Sequence, residues 1–141
     1  MKVGFHILGD NMKFLMSIVA FCGVTTFANS AAAEIVATKE VNLTVSGVYV
    51  PGGFSQNTDA YVIVSGMFPN SCYKWNKAEV SSPTPLVQEV KATATVAQSI
   101  CLMVMVPYQE EVNLGRLVSG THTLRFLNGD GTSFEKTLTV E

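Results

Sequence analysis

Past residue 33 the chain holds two cysteines, Cys72 and Cys101, and one histidine, His122. In a domain outside the cytoplasm an even pair of cysteines reads as a disulfide. It would close a loop of about thirty residues, worth roughly 3 kcal/mol in the loop-entropy picture. A metal site or a redox thiol would need partners that are not there, since no Cys-x-x-Cys occurs and the histidine stands alone. Nucleophilic catalysis needs a base beside the nucleophile, and His122 is the one candidate. Its parity turns it inward with Leu124 and Phe126, so it reads as a packed side chain. Glu110 and Glu111 are neighbours in what reads as a polar loop, whereas glycoside hydrolysis needs two acids converging on a cleft. Met103 and Met105, with His122, would make a soft ligand set for copper. Both methionines fall on one face of an apolar run, Ile100–Val106, which reads as a core strand. No catalytic residue, metal ligand or cofactor is therefore expected.

The compartment follows from the N-terminus. Met12-Lys13 precedes an apolar run, Phe14–Val24, that closes on the small residues Ala28–Ala33. That is the build of a secretion signal, and the run is short for a membrane span. The reading is a signal peptide over residues 1–33, with translation starting at Met12 and cleavage after Ala33 in preference to Ser30. Cys22 as a lipid anchor is disfavoured, because bulky Phe21 precedes it. Residues 34–141 then form one domain. Removing Lys2, Lys13 and Asp10 from nine basic and eleven acidic residues leaves seven against ten. That balance argues against a nucleic-acid or anionic-membrane partner. No later run is long enough for a transmembrane segment. A periplasmic or secreted product is expected.

Alternation with period two dominates from Val41 onward. Val41, Leu43 and Val45 alternate with polar residues, and the parity flips at Gly47, as a β-bulge would produce. Ala60–Val64 and Ile100–Val106 are apolar on both faces. Cys72–Val80 and Val90–Val96 read as strands joined through a Ser81–Pro85 linker. Pro107–Leu117 reads as irregular. A final hairpin turns at Asn128-Gly129-Asp130-Gly131, residues tolerant of positive φ. Seven short strands without helices predict an all-β, immunoglobulin-like antiparallel sandwich. A small closed barrel is the alternative. Asn42-Leu43-Thr44 fits a glycosylation sequon and reads as chance.

From Gly66 onward the spacing resembles a group of small exported bacterial Ig-like domains. Their pattern is Gly-x-x-Pro-x-x-Cys, here Gly66–Cys72, a second cysteine, here Cys101, and Pro-aromatic, here Pro107-Tyr108. A hydrophobic-Gly-x-Leu-x-x-Gly-x-aromatic-Thr run follows, here Leu114–Thr123, with His122 in the aromatic's place. The resemblance implies an exported β-sandwich with a disulfide and does not imply a particular function.

Function is then expected on loops and exposed aromatics. The candidate binding residues are Tyr49 and Phe54, around the Pro51-Gly52-Gly53 loop, with Tyr73 and Trp75. The expected role is non-enzymatic binding of a protein or cell-envelope component. The alternative is inhibition of a protease or lysozyme by the Pro107–Gly120 segment. N-terminal sequencing of the exported product is expected to begin at Glu34, and a start at Ala31 would move cleavage to Ser30.

Overall fold

The alternating segments become eight strands: β1 (Thr38–Asn42), β2 (Gly47–Tyr49), β3 (Asp59–Phe68), β4 (Tyr73–Thr84), β5 (Val87–Ala97), β6 (Val106–Arg116), β7 (Gly120–Leu127) and β8 (Ser133–Val140). The computed structural model describes residues 35–141, and the signal reading of residues 1–33 lies outside them. Among the described residues there is no helix, hence none long and apolar enough to cross a membrane.

The strands form two sheets, one of five strands and one of three. The three-stranded sheet runs β2-β3-β6, antiparallel throughout. In the larger sheet β5 is the hub. β4 pairs along one of its edges. The other edge is divided: β7 takes Val87–Lys91 and β1 takes Thr93–Ala97. β8 completes the sheet against β7. The β5–β7 pair is parallel, where antiparallel pairing throughout was expected. The cause is the route of the chain, which leaves β5 for β6 in the other sheet and re-enters travelling in its original direction.

Even-numbered residues of β3, β5, β6, β7 and β8 face the space between the sheets, because successive strand residues point to opposite faces. Val62, Val64, Val90, Ala92, Ala94, Val112, Leu114, Leu124, Phe126, Leu138 and Val140 fill it. The outer face of the larger sheet is polar. There Arg125 donates to Glu135 and Glu89, both at 3.0 Å. The exposed edge strand β4 carries Lys74, Lys77 and Glu79, and its register shifts at Asn76 and again after Ser81. Charges and register shifts of this kind keep an edge from recruiting other chains.

Several expectations need correction. The parity flip at Gly47 is not a bulge. Residues 43–46 carry the chain from the larger sheet to the smaller one, and β2 begins at Gly47. The Val45 amide bonds the Asn128 side chain at 3.1 Å, and Gly129 donates to the Leu43 carbonyl at 3.1 Å. The β7–β8 turn thus clasps this crossing. The Ser81–Pro85 linker is mostly β4, with the reversal at Pro85-Leu86. Pro107–Leu117 is not irregular, because most of it is β6, hydrogen-bonded to β3 along Asp59–Phe68. Ile100–Met105 is not a core strand, because β3 ends at Phe68 and offers it no partner beyond Val106.

A Cβ at position 129 would stand 2.5 Å from the Asn42 carbonyl oxygen, whereas one at Gly52 meets nothing within 4 Å. Gly129→Ala is expected to destabilise by about 1–3 kcal/mol, since backbone must move to admit it. Gly52→Ala, measured by the same denaturant unfolding, serves as the near-neutral control.

Candidate functional site

The four aromatics expected to form a binding surface do not share one. Tyr49 lies on β2 and is 65 % exposed. Phe54 is buried, because its backbone bridges Val140 and its carbonyl accepts from the Glu141 amide, while the Gln56 amide donates to the Glu141 carbonyl, and the Phe54 ring meets Tyr61 edge-on at 5.5 Å. It is a core residue and not an exposed anchor. Tyr73 and Trp75 are half-buried on β4 and belong to an aromatic cluster with Phe68 and Tyr108. Phe68 stacks on Tyr108 at 4.6 Å, and Trp75 tilts against Tyr108 at 5.8 Å.

His122 is wholly buried, as its parity predicts. Its Nε2 lies 2.7 Å from the Val118 carbonyl. A carbonyl only accepts, so Nε2 carries the proton and Nδ1 is left, among the described residues, a buried acceptor without a partner. The ring anchors the β6–β7 connection and has no access to a substrate in solution. Glu110 and Glu111 sit on β6 opposite Val64 and Ile63. As strand neighbours they point to opposite faces, so they do not converge. Among the described residues no three side chains of His, Cys, Asp or Glu are placed to hold a metal.

The exposed surface that the sequence hid lies where β3 ends and β6 begins. Cys72 and Cys101 are disulfide-bonded, with Cα atoms 5.3 Å apart. Beside them Ser71 and Leu102 exchange two bonds: the Ser71 amide donates to the Leu102 carbonyl at 3.0 Å, and the Leu102 amide donates to the Ser71 hydroxyl at 2.8 Å. Asn70 accepts from the Cys72 amide at 3.0 Å, closing the turn after β3. The segment is thereby held at its start by a covalent bond and at its end by β6. Yet Ile100, Leu102, Met103, Val104 and Met105 all face outward, Ile100 at 99 % exposure and Met103 at 82 %. Met67 on β3 and Val36 at the start of the chain's described part are exposed as well. Gln98 bonds the Ala37 carbonyl at 2.8 Å, which draws that start towards the same end.

Met67 also borders an open groove of about 540 Å³, lined with it by Ser46, Ser65, Gly66, Tyr108 and Gln109. The groove depends on Gly66. The Tyr108 ring lies so close over it that a Cβ would come within 2.4 Å of the phenol oxygen. That hydroxyl donates to the Thr44 carbonyl at 3.2 Å, tying β6 to the inter-sheet crossing. Burial raises the Tyr108 phenol above its ordinary pKa of 10.0, because a phenolate would be poorly solvated there.

The family model described as the ORF11 beta-sandwich domain matches residues 62–140. The matched region runs from within β3 to the end of β8 and includes both cysteines and the exposed apolar segment. No curated protein and no solved structure matches the chain. The chain belongs to the ORF11 beta-sandwich domain family.

Tyr108→Phe is expected to remove about 0.5–1.5 kcal/mol with the lost hydrogen bond. A phenol whose pKa is raised by folding contributes stability below its unfolded value, and the contribution is lost as pH rises through the folded value. The wild type should therefore lose stability above pH 10.0, the ordinary tyrosine value. Urea titrations at neutral and alkaline pH are expected to show a smaller alkaline loss in Tyr108→Phe.

Proposed function

We propose that this member of the ORF11 beta-sandwich domain family is an exported, non-enzymatic binding module. Its partner is a protein or another component of the cell envelope, and it docks on the end of the sandwich built around Ile100–Met105. One observation carries the reading: a run of large apolar side chains is held in water by a disulfide and by hydrogen bonds to Ser71. Burying such a side chain is worth about 1.5–3 kcal/mol. A flexible segment would fold back onto the sandwich to gain that energy, and this one is tethered at both ends. Large exposed apolar patches on soluble domains mark interaction surfaces. Methionines suit such a surface, because their unbranched side chains adapt to a partner's shape. Export is supported by the signal-like N-terminus and by a disulfide that persists in oxidising compartments.

Inhibition of a hydrolase is the second reading, and its inserting element changes. Residues 106–116 are committed to β6, so the segment free to enter a cleft is Ile100–Met105.

The test is capture from envelope and extracellular fractions with the oxidised chain as bait. Leu102→Asp with Met103→Asp is expected to abolish recovery of the partner while leaving unfolding unchanged, because neither side chain packs in the core. Full recovery by the folded double variant would sink the docking surface. Recovery of a hydrolase inhibited by the wild type alone would select the second reading.

A further inference from the structure

A sheet edge left open is a template for another strand, and most such edges are blunted. β1 and β2 are short, at five and three residues. β4 carries lysines and two register shifts. β8 exposes Lys136 at a position that shares parity with buried Leu138 and Val140. β6 differs. It ends the three-stranded sheet, with β3 on one side and, among the described residues, no strand on the other. It holds no lysine. Its pairing with β3 is unbroken from Tyr61 opposite Asn113 to Phe68 opposite Val106.

The direction of its backbone groups follows from β3. The Ser65 carbonyl accepts from the Ser46 amide at 3.0 Å, so Ser65 turns its backbone towards β2. Bonding direction alternates along a strand. Val62, Val64 and Gly66 therefore turn to β6, where Val112, Glu110 and Tyr108 stand opposite them. Gln109, Glu111 and Asn113 then direct N–H and C=O to the open side. Pro107 belongs to the same set, and its missing N–H marks where the open ladder begins. Gly115, at φ 73°, ends it.

Glu110 and Glu111 stand in the middle of this edge. Strand neighbours point to opposite faces, so one carboxylate flanks each face of an incoming strand. Among the described residues neither forms an ion pair, unlike Glu79, Glu89 and Glu135. Opposite charges attract across a strand pair and like charges repel. A second copy pairing about its own Glu110 and Glu111 would set carboxylate against carboxylate. No other part of a second copy supplies the counter-charge, since the sequence holds no two adjacent basic residues.

We infer that the open edge of β6, Tyr108–Leu114, is a strand-addition site for an extended segment of another protein that carries two adjacent basic residues. Backbone hydrogen bonds to Gln109, Glu111 and Asn113 hold the segment, and the two carboxylates set its register. The surface is separate from the apolar docking end, because it uses none of the side chains of Ile100–Met105.

The experiment mixes the oxidised chain with a short peptide, Thr-Val-Thr-Lys-Arg-Thr-Val-Thr, and with a control that has Glu-Glu in place of Lys-Arg. The Lys-Arg peptide is expected to slow exchange of the Gln109, Glu111 and Asn113 amides, read by nuclear magnetic resonance, and the control is not. Glu110→Gln with Glu111→Gln should weaken binding about tenfold. Glu110→Lys with Glu111→Lys should reverse the preference to the control peptide. N-methylation of the peptide amides that face β6 should abolish binding, which a purely ionic contact would survive. Leu102→Asp with Met103→Asp should bind the peptide as the wild type does, and the glutamine variant should still capture the apolar partner, so either surface can fail without the other. Absence of peptide binding, undiminished binding in the glutamine variant, or binding that leaves the three amides exchanging freely would overturn the site. Protection of those amides in the chain alone, rising with its concentration, would assign the edge to a second copy and overturn the basic partner.

Discussion

The divided edge of β5 is the constraint on which the rest of the structure depends. Two strands share it end to end, β7 on Val87–Lys91 and β1 on Thr93–Ala97. Where β1 stops, the chain must leave the larger sheet, since β7 occupies the remaining edge. That departure makes the crossing at residues 43–46, and the crossing in turn places β2 beside β3. The β7–β8 turn sits at the junction, and its Asn128 and Gly129 bond the crossing backbone. Tyr108 reaches the same crossing from β6 through the Thr44 carbonyl. Both sheets are therefore tied at this crossing by hydrogen bonds to its backbone.

The exposed apolar end follows from unequal strand lengths. β3 ends at Phe68, and the turn through Asn70 and Ser71 leads directly into Cys72 and β4. The chain leaving β5 must return to pair with β3, and it runs through Ile100–Met105 before a partner is available at Val106. The disulfide binds this span to the β3–β4 turn. Behind it, Phe68, Tyr73, Trp75 and Tyr108 pack together and give the end a rigid base. Among the described residues no further strand lies there to cover the outer side chains.

Much of the fold was legible from period two. Val90–Val96, Thr121–Leu127 and the Asn128–Gly131 reversal all became what alternation and turn chemistry imply, and the cysteines paired. β6 was hidden because its Glu110, Glu111 and Asn113 lower its apolar content, and its strand state comes from the long pairing with β3, which is not local information. The parallel β5–β7 pair was hidden for the same reason. Ile100–Met105 misled in the opposite direction: composition reports what a residue prefers, not whether a neighbour exists to satisfy it. Phe54 was assigned to an exposed loop by its glycine-rich surroundings, yet a distant contact with Val140 and Glu141 buries it. The candidate site itself was therefore visible only as an apolar run of the wrong kind.

The same span has a consequence for how the protein is made. From Ile100 to Val106 the chain is uncharged, apolar and free of proline, the composition that favours intermolecular strand stacking while a chain is still unfolded. The crosslink at Cys101 can be installed only after Cys72 has been brought alongside, so the stickiest stretch is restrained late. Pro107 follows it at once, in the position of a gatekeeper that cannot donate to a growing ladder. A newly made chain kept in a reducing compartment would carry this stretch unclasped, and thiol oxidation then acts as a solubility checkpoint as well as a stabilising bond.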